Sequence, residues 1–375
     1  MNHLHIVSFN VPYPADYGGV IDVYHRIRSL SKRGVAIHLH CYTYGRAKAP
    51  QLESLCEEVH YYEREMFPRH LLSKRPFIVD SRCSRALLNR LRQDDYPIWL
   101  EGLHCCDVLQ RLREQGCGNR PIYVRAHNVE HDYYSNLADV ESRWLKRLYL
   151  RMDARKLLRY EPILLRADGV FAVTDADAAH FRSLGCGNVC LLPTAHPFDT
   201  IETLEGQGNY ACYHADLSVP ENINAVRFLI CEVFSRCRHS LVVAGRNPAL
   251  ELQRLAARYD NVRIVASPSD SEMQRLVQEA QVNILVTDQA TGLKLKLLNS
   301  LYCGRHCLVN SKMVQGTPLH EVCVVADGAT QLLEQLNRLM EQPFTESLIE
   351  QRRNKLRGRY DNDTHADAIV STLFT

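Results

Sequence analysis

An apolar run followed by a helix-forming stretch, near residue 290, constrains the fold of this chain most strongly. Residues 282–286 (VNILV) are typical of a buried parallel strand, and residues 291–303 predict a helix that ends at Gly304. A helix that begins where a parallel strand ends directs unpaired N–H groups to the sheet edge, where phosphates bind. Lys294 and Lys296 oppose the helix dipole there, and an anionic ligand would remove that conflict. The alternative is an ordinary amphipathic helix with two solvated lysines.

Strand-like apolar runs alternate with helical patterns along the whole chain. This alternation predicts an α/β fold with two tandem, Rossmann-like, doubly wound domains, and 375 residues suffice for two cores. Two such domains are expected to face a cleft, a common place for ligands. The predicted boundaries are an N-terminal domain at 1–195, a linker at 196–209, a C-terminal domain at 210–345, and C-terminal helices at 346–375 that pack back on the first domain.

Composition excludes several classes of protein. Lys and Arg number 45 against 43 Asp and Glu, so the bulk charge does not indicate a nucleic-acid partner. No run of 18 apolar residues predicts a membrane span, and the N-terminal sequence lacks a signal-peptide pattern. Fourteen cysteines without such a signal indicate reduced thiols in a cytoplasm.

Two features of the first domain indicate a ligand site. Gly18 and Gly19 lie between the loop after the first strand and its helix, where glycine lets a ligand approach the backbone. The sequence is not GxGxxG, and a plain tight turn is the alternative. His127 directly follows a strand at 121–126, at the edge of the sheet where ligands bind. A packing or helix-capping histidine is the alternative there.

No metal site is predicted. The patterns at 3–5 and 38–40 (HLH in both) place histidines on one face of two strands, which favours hydrogen-bonded core histidines over metal ligands. Cys105 and Cys106 beside His104 fit no standard metal-ligand spacing.

Arginine recurs every four residues along a predicted helix at 144–166. The five positions form one stripe on the helix: Arg143, Arg147, Arg151, Arg155 and Arg159. Like charges at this spacing cost the helix about 1–2 kcal/mol in total. A solvated face is one interpretation, and contact with an anionic membrane or an acidic partner is the other.

Five segments of the chain form a recognisable set: the Gly18-Gly19 loop, 125–130 (RAHNVE), 213–222 (YHADLSVPEN), 243–248 (VAGRNP) and 292–299 (GLKLKLLN). In these segments the chain resembles the GT-B glycosyltransferases, in particular the retaining, group 1 enzymes of bacterial polysaccharide and lipopolysaccharide synthesis. It implies a first domain that binds a glycan or lipid-linked acceptor and a second that binds a UDP-sugar or GDP-sugar. It also implies transfer of a hexose to a hydroxyl with retained configuration, without metal or cofactor, in the cytoplasm or at the inner face of the plasma membrane.

The resemblance also implies roles for single residues. His127 and Gly19 correspond to catalytic positions, and His127 would contact the donor sugar. The donor would be bound by Gly18, Arg246, Asn247, Ser267, Thr291, Gly292, Leu293, Lys294, Lys296 and Asn299. Backbone dipoles and cations would stabilise the departing diphosphate.

Three departures weaken the match. Asn299 stands where such enzymes have a glutamate for the ribose hydroxyls, and residues 289–291 (QAT) replace a second glutamate. Residues 222–224 (NIN) stand where a diphosphate-binding lysine is common. An inactive scaffold or binding protein is therefore an alternative, and a sugar-nucleotide epimerase is a third hypothesis.

Overall fold

The computed structural model describes residues 2–71, 73–116, 120–289 and 294–374. The chain forms two units, one of Met1–Pro197 with Gly358–Thr375 and the other of Phe198–Arg357. The predicted C-terminal helical segment 346–375 is divided between them. Its first helix belongs to the second unit and its last helix to the first.

A seven-stranded parallel sheet forms the centre of the first unit, with the strand order β3-β2-β1-β4-β5-β6-β7. Its strands are β1 His3–Ser8, β2 Ala36–Thr43, β3 Glu58–Glu63, β4 Ile98–Glu101, β5 Ile122–Ala126, β6 Gly169–Ala172 and β7 Val189–Leu191. Its helices are α1 Gly18–Lys32, α2 Phe77–Asp80, α3 Arg85–Leu91, α4 Asp107–Glu114, α5 Glu130–Val140, α6 Trp144–Tyr160 and α7 Asp175–Leu184. Short 3₁₀ turns occupy Pro50–Leu52, Pro68–Leu71, Leu103–Cys105 and Glu161–Arg166.

The second unit is built on a six-stranded parallel sheet with the order β10-β9-β8-β11-β12-β13. Its strands are β8 Tyr210–His214, β9 Ser240–Gly245, β10 Val262–Ala266, β11 Val282–Leu285, β12 His306–Val309 and β13 Val324–Val325. Its helices are α8 Pro220–Phe228, α9 Leu250–Ala256, α10 Asp270–Glu279, α11 Leu295–Cys303, α12 Ser311–Val314, α13 Gly328–Glu341 and α14 Glu346–Leu356. A π turn at Leu229–Val233 and 3₁₀ turns at Phe234–Arg236 and Pro318–Val322 complete it.

The last helix, α15 Asn362–Phe374, returns to the first unit and packs on α1. Arg33, just beyond α1, donates from Nη1 to Asp363 at 2.9 Å and also pairs with Asp367. Ala366 and Ile369 are buried on the inner side of α15. These contacts make the chain terminus part of the first core.

Apolar patterning explains the elements that were predicted. The inward positions of α1, Val20, Val23, Ile27 and Leu30, are fully buried, and Gly34 follows with a φ of +73° as a left-handed stop signal. Helix α6 is shorter than the predicted 144–166, because Pro162 cannot continue the α-helical hydrogen bonds and the chain tightens to a 3₁₀ turn. The predicted doubly wound α/β fold class is confirmed in both units.

Helix α6 leaves an apolar row in solvent. Trp144, Leu145, Leu148 and Met152 are all exposed, and their spacing places them on one face. We call these four residues the α6 apolar row. Arg151 and Arg155, also exposed, flank it. Within the described ranges, every helix is too short or too polar to cross a bilayer.

Candidate active site

Each sheet changes winding direction between two neighbouring strands, and loops at that point form the usual ligand site of such folds. In the first unit the change lies between β1 and β4. Phe9 follows β1, Glu101 ends β4, and His127 follows β5, the next strand along. The sheet therefore brings His127 and Glu101 to the same edge, as their strands are paired in register.

Two carboxylates hold the His127 ring. Its Nε2 lies 2.8 Å from Glu101 Oε2, and its Nδ1 lies 3.5 Å from Asp22 Oδ2. The His127 side chain keeps 12% of its surface exposed, whereas both carboxylates are buried. The ring is therefore fixed in orientation and still reaches solvent by one edge.

Asp22 is the centre of a buried ionic cluster. It accepts hydrogen bonds from Arg26, from Arg125 Nε at 3.0 Å and from the Ala195 N–H at 2.6 Å. Burial alone would raise the pKa of Asp22, but Arg125 and Arg26 outweigh it and hold that pKa well below its ordinary value. Removing one member would leave an uncompensated buried charge.

Sequence reasoning missed Glu101 and Asp22 as site residues. Glu101 is fully buried, and its Oε1 accepts a hydrogen bond from Trp99 Nε1 at 2.8 Å. The sequence did offer one signal for Glu101, because a carboxylate stands there at the end of an apolar strand. Asp22 had none, because it lies within an amphipathic helix and only the fold turns it towards Arg125.

Gly19 lies against the aromatic side of this site. A Cβ atom added there would meet Phe9 Cζ at 2.7 Å. The Phe9 ring in turn contacts His104 and His127, with centroids 5.2 and 5.5 Å away. Packing accounts for the glycine at 19, and its predicted catalytic role stays a prediction. Gly18 is the first residue of α1, a helix without acidic residues in its first turn.

The paired histidines of β1 and β2 are hydrogen bonded. His3 bonds His38 at 3.0 Å and His5 bonds His40 at 2.8 Å, and His5 also bonds Asp94 at 2.9 Å. Burial lowers the pKa of His5 to about 4, so the ring is neutral in the core. These contacts agree with the preferred interpretation as core histidines.

In the second unit the winding changes between β8 and β11, and a half-buried lysine lies at that edge. Lys296 Nζ donates to Asn222 Oδ1 at 3.1 Å and to the Tyr213 hydroxyl at 3.4 Å. Burial lowers the pKa of Lys296 to about 8, with Glu221 opposing the decrease and Lys294 adding to it. Below that pH the lysine is charged, with the Glu221 carboxylate among the groups that favour its charge.

Further polar groups surround this lysine. His214 ends β8 and bonds Ser300 Oγ at 3.0 Å, and burial lowers its pKa to about 3. The hydroxyl of Thr287, after β11, donates to Glu221. Asn299, half-buried, precedes Ser300 in α11. The cluster combines neutral hydrogen-bonding groups with one half-buried cation and one carboxylate.

Backbone strain marks the ends of β9 and β10. Asn247 and Ser267 both have a φ of +50°, a left-handed conformation that costs a non-glycine residue about 1–3 kcal/mol. The Asn247 N–H also donates to Ser267 Oγ at 3.4 Å. Such strain persists where surrounding structure imposes it, and it clusters at ligand sites.

Gly245 explains how these loops meet. A Cβ atom at Gly245 would lie 1.8 Å from the carbonyl oxygen of Ala215, in the loop after β8. Only glycine permits this approach of two loops. Arg246 follows with an exposed side chain, and its carbonyl accepts a hydrogen bond from the Leu217 N–H at 2.9 Å.

The structure thus gathers Arg246, Asn247, Ser267, Lys294, Lys296 and Asn299 at the carboxyl edge of the second sheet or at the start of α11. Lys294 is the residue that precedes α11. Thr291, Gly292 and Leu293, also predicted to bind the donor, lie outside the described residues.

Known structures share this architecture over the full length of the chain. Sucrose-phosphate synthase from Thermosynechococcus elongatus aligns with a TM-score of 0.71 and 15% identity, covering 99% of this chain and 98% of that one. HepE from Anabaena, solved with UDP and glucose, gives 0.63 and 13%, covering 100% and 99%. The UDP-forming trehalose-phosphate synthase from Burkholderia vietnamiensis gives 0.62 and 12%, covering 100% and 97%.

The fold is that of the GT-B glycosyltransferases. No protein-family model matches the chain. In sequence it is similar to an uncharacterized 44.6 kDa protein in the cps region of Klebsiella pneumoniae, with 23% identity over 323 residues and 79% of each chain covered. Within this GT-B fold, His127 follows β5, one strand from the winding change of the first sheet, and Lys296 lies in the helix after β11, at the winding change of the second.

Proposed function

We propose that the protein is a glycosyltransferase that moves a hexose from a nucleotide-diphosphate sugar to a hydroxyl of a glycan or glycolipid. The observation that carries the proposal is the Lys296 cluster at the winding change of the second GT-B sheet. A half-buried, hydrogen-bonded cation at the same sheet edge as the strained residues Asn247 and Ser267 suits a diphosphate. Structural relatives that are glycosyltransferases, including one solved with UDP, support the same assignment.

Lys296 would compensate for the diphosphate-binding lysine that is missing from residues 222–224. Its Nζ lies 3.1 Å from Asn222 Oδ1, in the segment where similar enzymes carry a diphosphate-binding lysine. A cation supplied from α11 would therefore reach the place that lacks one on α8. Charge-assisted contacts to a departing diphosphate strengthen as its charge develops, and this electrostatic stabilisation needs no metal ion.

His127 is the proposed group nearest the donor sugar, on the first unit. Glu101 is hydrogen bonded to Nε2 and Asp22 lies 3.5 Å from Nδ1, so His127 would orient a substrate through its exposed edge and the charge of its cluster. A ring held in this way does not act as a free general base. That restriction is compatible with transfer that retains the anomeric configuration.

Polysaccharide biosynthesis is the proposed context. The similar Klebsiella pneumoniae protein belongs to a cps region, which supports a glycan or lipid-linked acceptor. Such acceptors lie at membranes, and we propose a cytoplasmic protein that contacts the inner face of the plasma membrane. The α6 apolar row between exposed arginines supports that contact, because basic helices with apolar faces bind anionic lipid surfaces.

Calorimetry with UDP and GDP, followed by assays with the corresponding sugar donors, tests the function. We expect one nucleotide to bind at the second unit and its sugar donor to be turned over with an acceptor extract. Failure of both nucleotides to bind at millimolar concentration would overturn the assignment.

A second candidate is a nucleotide-binding protein without turnover. Asn299 favours it, because the amide offers hydrogen bonds to the ribose without the charge of the usual glutamate. Binding of a nucleotide without hydrolysis or transfer of any donor sugar would select this candidate. Restored turnover in an Asn299→Glu variant would show that the difference lies in that residue.

A further inference from the structure

Two histidines and a glutamate from three separate segments of the first unit lie close together. His131 belongs to α5, His180 to α7, and Glu161 to the 3₁₀ turn that follows α6. His180 Nε2 lies 2.8 Å from Glu161 Oε2, and His131 Nε2 lies 3.4 Å from the same oxygen. All three ligand atoms lie within 4.8 Å of one another. Both rings thus direct the same nitrogen at one carboxylate oxygen.

Hydrogen bonding leaves His131 Nε2 available. Its other nitrogen, Nδ1, lies 3.1 Å from the Asp132 carboxylate oxygen Oδ1. Nε2 is buried, and within the described part of the chain it makes no hydrogen bond, with Glu161 Oε2 3.4 Å away. A ring protonated only at Nδ1 would aim the Nε2 lone pair at a carboxylate oxygen, which is repulsive unless a cation lies between them.

We propose that His131, Glu161 and His180 bind a divalent transition metal ion, with Zn²⁺ as the best match. Bonds of about 2.0–2.1 Å in a tetrahedron separate ligand atoms by about 3.3 Å. The 3.4 Å between His131 Nε2 and Glu161 Oε2 matches that separation, whereas His180 and Glu161 are hydrogen bonded at 2.8 Å and must move slightly apart to admit the ion. Histidine nitrogens and a carboxylate suit Zn²⁺. His180 is partly exposed, which leaves the fourth position to water. Asp132 orients His131 as carboxylates do behind metal-bound histidines.

Two other clusters of histidine and carboxylate show why this one is singled out. At His38, Glu58 and His60 the carboxylate is already paired with Arg90 at 2.7 Å. In the cluster of His127, Asp22 is paired with Arg26 and Arg125. Among the residues that the structure describes, Glu161 by contrast forms ion pairs with the two histidines and with no arginine or lysine. A metal ion shared with two neutral rings would take the place at Glu161 that arginines take in the other clusters.

The metal would hold the segment that follows β5. His131 is four residues beyond His127, and α5 begins at Glu130. A bond from His131 to a metal shared with α7 would fix the start of α5 and, through it, the backbone at His127. This role is separate from the proposed diphosphate site and does not rest on it.

Cobalt substitution in the full chain tests the site. The protein is stripped with a chelator and titrated with Co²⁺, whose visible bands report coordination by nitrogen and oxygen. A thiolate-to-cobalt band in the near ultraviolet would identify any uptake by the 14 cysteines. We expect one equivalent bound without that band, a raised melting temperature, and displacement by Zn²⁺.

Variants separate the site from background binding. His131→Ala and His180→Ala should lose the bound equivalent, while His60→Ala, from the cluster paired with Arg90, should keep it. Asp132→Asn changes an exposed side chain that should leave the fold intact, and we expect a roughly 10–100-fold weaker metal affinity. Uptake that is unchanged in these variants, or absent in the wild type, would overturn the proposal and leave two protonated histidines sharing one carboxylate.

Discussion

At the scale of single residues, His127 depends on its two carboxylate partners. Replacing Glu101 by Gln keeps the shape and removes the charge opposite Nε2. A hydrogen bond to a charged group contributes about 1.5–3 kcal/mol, so we expect kcat to fall roughly 10–100-fold with nucleotide affinity little changed. Steady-state kinetics beside calorimetry measures both. Glu57→Gln, at an exposed glutamate, is the matched control. If Glu101→Gln weakened nucleotide binding as much as it lowered kcat, Glu101 would not act through His127 as proposed.

Lys296 should govern nucleotide binding. In Lys296→Met the cation is lost, and we expect UDP or GDP to bind about 10–100-fold more weakly. Lys355→Met, at an exposed ion pair in α14, serves as the control. Unchanged affinity in Lys296→Met would separate this lysine from the diphosphate.

The same lysine predicts a pH dependence of binding. Burial lowers the pKa of Lys296 to about 8, so the side chain is charged below that pH and becomes neutral above it. Nucleotide affinity should therefore decrease as the pH rises above about 8. Lys296→Arg stays charged throughout this range, and its affinity should remain level. A decrease that persists in the arginine variant would assign the titration to another group.

At the scale of elements, helix α6 presents two kinds of side chain to the solvent. We expect binding to vesicles of anionic lipid that weakens as salt increases, because salt screens the arginine charges. Each lost arginine near the surface should cost about 1 kcal/mol, or roughly fivefold. Sedimentation of the protein with vesicles measures this for Arg151→Gln and Arg155→Gln.

The α6 apolar row allows an independent test of vesicle binding. Leu148→Gln should weaken vesicle binding at every salt concentration, whereas Leu250→Gln, at an equally exposed leucine of α9, should not. If vesicle binding does not change with salt or with the Leu148 substitution, or if there is no binding at low salt, then α6 is a solvated helix face and the membrane proposal is wrong.

Gly245 determines how closely two loops pack, since the lack of a side chain lets the loop after β9 contact the loop after β8. In Gly245→Ala the new Cβ would overlap the Ala215 carbonyl oxygen, so the two loops must separate. We expect a loss of about 1–3 kcal/mol or more, seen as a lower denaturant midpoint, together with weaker nucleotide binding. Gly187→Ala, where a Cβ meets open space, is the control.

At the scale of the whole molecule, two sheets wound in the same way carry different chemistry. The first unit holds a buried ionic cluster around His127, and the second holds a half-buried lysine among neutral groups and one carboxylate. This division agrees with the proposal that the units bind different substrates. The GT-B fold alone does not distinguish an active transferase from a binding protein, and the assays of donor turnover decide that point.

Much of the architecture was accessible from the sequence. Buried parallel strands are continuous apolar runs and their helices have a 3.6-residue period, so the doubly wound pattern and the start of α1 near Gly18 could be predicted. His127 and Lys296 could be nominated because each follows or opens an element at the ligand edge. The helix end at Tyr160 was less accessible, because the long periodic pattern masked the effect of Pro162.

The sequence by itself determined the order of strands and helices and the placement of polar residues at strand ends, since these depend on local periodicity. Only the tertiary structure decided which distant residues meet: Asp22 with Arg125, Lys296 with Asn222, and His131 with His180. Those pairs are separated by tens of residues or more, and pairing strands and packing helices brings them together. Long-range contacts of this kind leave no periodic trace in the chain, because they arise from the sum of many packing interactions.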